Sequence, residues 1–259
     1  MHFNRSLATV ITLACAFAAT ASAASPFAGK WKYNASRSVL TGATDSIAAD
    51  GANAWKFTYG SYSWTVKADG SDQPTPFGNT DALKVVSPTK WELVNKVNGK
   101  VSSNDTWTLS ADGQSMTRTS DGKREDGKSF HDVTNMKRTA GTKGFEGTWE
   151  SANVKVAPAE LDIDNASAAG FTYTMPAYSI KLVLTFDGKD CPFESPRIPA
   201  GTTASATLSN PNTLKATTKF QGKVLDSETW EISADGKTLT YTELDAGEAK
   251  PSVWVFDKM

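Results

Sequence analysis

The sequence predicts an all-β protein built as two tandem antiparallel up-and-down β-barrels behind a cleaved N-terminal leader. Three observations predict it. Short segments throughout the chain alternate apolar and polar residues with a period of two. Glycine-containing pairs recur at the spacing of hairpin turns. The second half of the chain repeats the first.

The leader comes first. Met1-His2-Phe3-Asn4-Arg5-Ser6 is followed by an apolar run from Leu7 to Ala19 and then by Ala21-Ser22-Ala23. A positive start, a short apolar core and a small-x-small site make a secretory signal, with cleavage expected near Ala23. Residues 1–23 are therefore assigned to a signal peptide, and the mature protein to the periplasm or the outside of the cell. The run is shorter than the roughly 20 residues that span a bilayer, and no later stretch is apolar enough to do so.

The repeat comes next. Phe27-Ala28-Gly29-Lys30-Trp31 recurs as Phe145-Glu146-Gly147-Thr148-Trp149, 118 residues on. Asp69-Gly70-Ser71-Asp72-Gln73-Pro74 recurs at the same offset as Asp187-Gly188-Lys189-Asp190-Cys191-Pro192. Asn98-Gly99-Lys100-Val101, with Asp105-Thr106-Trp107-Thr108-Leu109-Ser110-Ala111-Asp112-Gly113, recurs 123 residues on, through Trp230 to Gly236. The order of the anchors is kept. The five-residue difference falls in a longer loop around Pro196 to Gly201. The domains are accordingly read as 24–140 and 141–259, with Thr139-Ala140-Gly141-Thr142-Lys143-Gly144 as a short flexible linker.

Within the first unit, strands are expected near 30–34, 45–49, 54–59, 62–68, 82–86, 90–97, 101–109, 115–120 and 130–138. Trp91, Leu93 and Val97 share one face of the sixth of these, as period two requires. Asn98-Gly99, Asp112-Gly113 and Asp235-Gly236 suit tight hairpins, because glycine accepts a positive φ. About eight or nine short strands per unit suit a closed barrel, which leaves no exposed sheet edge.

These residues resemble a known pattern. Each unit opens with Gly-x-Trp (Gly29 and Trp31, Gly147 and Trp149) and ends on a basic strand residue, Arg138 or Lys258. This resembles the lipocalin and calycin barrels. Residues 29–38 and the hairpin 233–240 are similar to exported bacterial lipocalin-like proteins of unknown function. The resemblance implies that each Trp plugs the closed end of a barrel and that a last-strand cation lies over its ring, a contact worth about 0.5–2 kcal/mol. The second unit departs from the pattern after Trp149, with Glu150-Ser151-Ala152-Asn153. Avidin-type barrels open in the same way, but Asn34 falls on the strand face opposite Trp31, which argues against a biotin pocket.

Composition narrows the function. The net charge is −1, so there is no electrostatic footprint for nucleic acid. Beyond the leader the chain holds one cysteine, Cys191, and one histidine, His131, too few for a Cys/His zinc site or for two histidine-dependent active sites. Asp162-Ile163-Asp164-Asn165 lacks the glycine and glutamate of a calcium loop. No metal, no cofactor and no catalytic residue is assigned. Cys191 is read as a passive loop residue, His131 as a solvent-facing strand residue, and Asp121 to Lys128 as a solvated hairpin tip.

Trp31, Trp107, Trp149 and Trp230 recur at matched positions and are read as core. Trp55, Trp64 and Trp91 have no tryptophan at the matched positions and are the candidates for contact with a ligand. The expected function is binding of a small apolar or amphipathic molecule in one or both barrels. The alternative is a cell-envelope structural or interaction protein with filled barrels. The remote alternative is an enzyme using carboxylates inside a barrel, which an interior carboxylate of strongly displaced pKa would favour. Oligomeric state is not read from the sequence.

Overall fold

The computed structural model describes residues 25–259 apart from 61 and 197; the proposed leader lies outside the described residues. The first half of the chain forms β1 (Gly29–Tyr33), β2 (Thr44–Ala49), β3 (Ala54–Tyr59), β4 (Tyr62–Lys67), β5 (Gln73–Pro74), β6 (Asn79–Ser87), β7 (Lys90–Val97), β8 (Lys100–Leu109), β9 (Ser115–Lys123) and β10 (Ser129–Lys143). The second half forms β11 (Glu146–Lys155), β12 (Glu160–Asp164), β13 (Gly170–Met175), β14 (Ile180–Thr185), β15 (Cys191–Glu194), β16 (Thr202–Asn210), β17 (Thr213–Phe220), β18 (Lys223–Ile232), β19 (Thr238–Asp245) and β20 (Ser252–Lys258). One 3-10 turn at Pro176–Tyr178 is the only helical element among the described residues.

The strands make two ten-stranded antiparallel, barrel-shaped sheets. Barrel I runs β4-β3-β2-β11-β10-β9-β8-β7-β6-β5, and a bridge from Asp69 to Lys84 ties its ends together. Barrel II closes fully, in the order β1-β12-β13-β14-β15-β16-β17-β18-β19-β20.

The units have therefore exchanged their first strands. Trp31 on β1 pairs with Lys258 on β20 and with Leu161 on β12, inside barrel II. Trp149 on β11 pairs with Arg138 on β10 and with Asp45 on β2, inside barrel I. The halves 24–140 and 141–259 thus coincide with the barrels except at this strand. The reason lies at the seam. The segment read as a flexible linker continues β10, and only Gly144 and Phe145 separate β10 from β11. So short a connection between antiparallel strands makes a hairpin, which holds β11 beside β10. β1 then fills the vacant first position of barrel II.

The closing contacts are crossed in the same way. The Arg138 guanidinium lies 4.1 Å from the Trp149 ring centroid, and Lys258 Nζ lies 5.0 Å from that of Trp31. Arg138 also donates to the carbonyls of Gly113, Gly144 and Glu146. Both indoles are fully buried and donate to the carbonyl four residues back, Phe27 for Trp31 and Phe145 for Trp149. Gly29 and Gly147 have φ of 132° and 140°, and a Cβ on Gly147 would meet the Ala140 carbonyl oxygen at 2.2 Å.

The barrels also touch directly. The tip read as solvated buries Arg124, which donates to the Ala157 and Pro158 carbonyls at 2.6 and 2.5 Å. Tyr59 of β3 donates to Asp245 of β19 at 2.6 Å.

Candidate functional site

Equivalent strand registers give the two barrels equivalent interior positions. In barrel I these are packed with aromatic rings. Trp91 lies 4.6 Å from Trp55, 4.1 Å from Phe145 and 6.1 Å from Trp107 between ring centroids. Phe57 lies 5.7 Å from both Trp64 and Trp107. What remains is a cavity of about 160 Å³ bordered by Trp64, Tyr59, Asp81 and Arg118. Of the three tryptophans considered for ligand contact, Trp64 borders this space, while Trp55 and Trp91 belong to the packed interior.

Barrel II carries smaller residues at the matching positions. The pair Trp91–Trp107 becomes Leu214–Trp230, and Leu83–Leu93 becomes Ala206–Ala216. Phe57–Trp64 becomes Tyr173–Leu182, and Trp55–Val66 becomes Phe171–Leu184. The lost volume appears as a cavity of about 380 Å³. It is bordered mainly by aliphatic and aromatic side chains, among them Leu182, Trp230, Tyr241 and Trp254. That lies within the range of about 300–1,000 Å³ typical of small-molecule sites.

The polar part of this cavity comes from the β18–β19 hairpin. The inward row of β18 reads Ile232, Trp230, Glu228, Asp226, and that of β19 reads Leu239, Tyr241, Glu243, Asp245. Facing pairs are Trp230–Tyr241, Glu228–Glu243 and Asp226–Asp245. Like charges directly opposite one another are destabilising, and more so when desolvated. Among the described residues, no lysine, arginine or histidine borders the cavity. Ligand-capable oxygens of Asp226, Glu243 and Asp245 lie within 4.8 Å of one another.

Partners are few. Thr218 and Trp230 each donate to Glu228 at 2.8 Å, Trp254 donates to Glu243 at 3.1 Å, and Tyr59 donates to Asp245. Asp226 is 7 % exposed, and its buried Oδ1 has no hydrogen-bond partner. Burial, reinforced by the charge of Glu228, pushes the Asp226 carboxyl up to about 8. Burial and then the Asp226 charge push Glu243 up to about 7. Burial also raises Glu228 and Asp245.

The matching hairpin of barrel I, β8–β9, carries a cation and only one carboxyl on its inward face. Its facing pairs are Trp107–Arg118, Asp105–Ser120 and Ser103–Gly122. Arg118 lies 3.9 Å from the Trp107 ring centroid and pairs with Asp45, while Ser120 donates to Asp105 at 2.6 Å. Barrel II has Tyr241 where barrel I has Arg118, and Leu161 where it has Asp45.

The acidic row has a signal in the sequence. Once Trp230 is read as core, period two places Glu228 and Asp226 on the same inward face. Leu244, exposed between Glu243 and Asp245, obscures that parity on β19. Elsewhere, Cys191 opens β15 as a buried core residue, and His131 is an exposed strand residue whose Nδ1 lies 2.7 Å from Asp121.

The chain matches no family model, no curated protein and no solved structure. Its two ten-stranded antiparallel barrels are compatible with a tandem calycin-like fold.

Proposed function

We propose that this is an exported binding protein that holds one small, mainly apolar molecule inside barrel II. The supporting observation is the 380 Å³ chamber there, set against the aromatic filling of the equivalent space in barrel I. Export rests on the leader reading of residues 1–23. Native mass spectrometry of the full mature chain against lipid and metabolite panels tests the reading. One bound molecule per chain, with a rise in Tm, is the expected result. A chain that retains nothing and is stabilised by nothing contradicts it.

A second reading, general acid–base catalysis, draws support from the interior carboxyls raised toward neutrality. It would show as turnover of a bound molecule that disappears in Asp226→Asn.

A further inference from the structure

We propose that the ligand of barrel II is an organic cation: a protonated amine whose charged end meets Asp226 and Glu243 and whose apolar body fills the chamber below them. This deepens the binding reading and rests on it.

The first observation is the arrangement of charge. Two like-charged pairs, Glu228–Glu243 and Asp226–Asp245, face one another across one hairpin, and Asp226, Glu228 and Glu243 border the cavity. Among the described residues, no lysine, arginine or histidine borders the cavity to balance them. Buried charges are ordinarily paired, and carboxyls kept together with neutral hydrogen-bond donors but no cation beside them among the described residues leave that cation to come from outside. The sister hairpin shows that the fold does not require this, since the same register there holds Asp105–Ser120 and Ser103–Gly122.

The second observation concerns one atom, the Oδ1 of Asp226. Asp226 borders the cavity, is more than nine-tenths buried, and has an Oδ1 with neither solvent nor a hydrogen-bond partner. Such an acceptor is satisfied by a donor that enters the chamber. Glu228 is a poorer candidate, because Thr218 and Trp230 already engage both of its oxygens.

The third is the chemistry next to the carboxyls. The ring of Trp230, beside Glu228, packs against Tyr241 of β19 and against Tyr173 of β13 across the barrel, at 5.2 and 5.7 Å between centroids. Aromatic faces attract a desolvated cation, and most strongly where water is excluded. A bare divalent ion uses none of this. Calcium takes about 6–8 oxygen ligands, whereas Tyr59 already occupies one Asp245 oxygen, Thr218 and Trp230 engage both Glu228 oxygens, and the remaining walls are mainly aliphatic and aromatic. The ligand class that uses both parts of the site is an amine on an apolar frame.

Calorimetric titration of the full mature protein with octylamine, octanol and octanoate, equal in chain length, tests this. The amine is expected to bind most tightly and octanoate least. In Asp226→Asn/Glu243→Gln, octylamine should lose about tenfold or more in affinity, as loss of a charge-assisted hydrogen bond implies. Octanol should bind this variant as it binds the native chain, which shows that the variant is folded. Octanol binding as tightly as octylamine to the native protein overturns the cation assignment and leaves the apolar-cavity reading standing. Failure of all three to bind overturns both. Calcium chloride is titrated separately; saturable calcium binding that abolishes octylamine binding and depends on Asp245 assigns the carboxyls to a metal and overturns the proposal.

Discussion

Barrel I and barrel II have ten equivalent strands in matching registers, apart from the β14–β15 pairing, which barrel I lacks, its ends being tied by the Asp69–Lys84 bridge, and they handle their interiors in opposite ways. Barrel I is largely filled, with Trp55, Trp64 and Trp91 in contact with Phe57, Trp107 and Phe145 and a cavity of only about 160 Å³ left. Its interior arginine answers Asp45, and Ser120 answers Asp105. Barrel II replaces the bulky positions with Leu214, Ala206, Ala216 and Leu182 and gains a chamber. It also loses its interior cation and gains carboxyls. An eight-to-ten-stranded barrel has room for either packed side chains or one small ligand. Here a few substitutions on an unchanged backbone plan select one outcome in each copy.

The largest expected effect tests where the comparison is drawn, because the strand exchange assigns each closing Trp to the other unit's barrel. Trp31→Ala removes a fully buried indole and should cost about 3–5 kcal/mol. The damage should fall on barrel II. Amide shifts of Leu161 and Leu239 should move in an NMR spectrum, and those of Leu83 and Leu93 should stay. Trp149→Ala should do the reverse. Shifts that follow the halves of the sequence contradict the exchange.

Acidity separates the interiors next. Burial pushes the Asp226 and Glu243 carboxyls up to about 8 and about 7 in the folded chain, against roughly 3.9 and 4.3 for exposed Asp and Glu. Between these limits the folded state holds protons that the unfolded state has released. The contribution of these two groups is therefore full below about pH 4 and is lost as pH rises toward about 8. Glu228 and Asp245 beside them are raised in the same sense, and so are the facing phenols Tyr59, Tyr173 and Tyr241. Tm should fall by several degrees from about pH 5 to about pH 9. Asp81 and Asp105 of barrel I are also raised, so the double variant Asp226→Asn/Glu243→Gln should flatten the curve without abolishing it. A Tm that climbs over this interval contradicts an uncompensated acidic interior.

The closing cations give the smallest contrast. Arg138 is buried and bonded to three carbonyls as well as stacked on Trp149. Arg138→Ala should cost about 2–3 kcal/mol. Lys258 is exposed and farther from its ring, and Lys258→Ala should cost only about 0.5–1 kcal/mol. Urea denaturation of the two variants measures the difference; equal losses would mean that the two ends close alike.

Much of the fold was legible in the sequence. Period two and the glycine pairs located every strand of the first unit except β5, whose two residues are too few to show a period. The exchange of β1 and β11 was not legible from the repeat, since equivalent strands can close either barrel. The brevity of the connection at Gly144-Phe145 carried that information and was masked by the glycine-rich composition of the seam. The extra tryptophans drew attention to barrel I as a place for a ligand. In the structure they occupy that interior, and the larger space opens where the repeat lacks them. The interior carboxyls escaped because parity on β19 is blurred by the exposed Leu244.

The most direct measurement of the central claim, that barrel II is the binding compartment, is titration of a neutral apolar fluorophore into the native chain and into two variants. Ala204→Leu/Ala216→Leu adds volume to side chains that border the chamber of barrel II. Trp91→Leu gives barrel I the residue that barrel II has at that position. One site per native chain, lost in the first variant and kept in the second while both remain folded by circular dichroism, is the result expected. Binding that survives filling of barrel II, or that follows Trp91 instead, would contradict it.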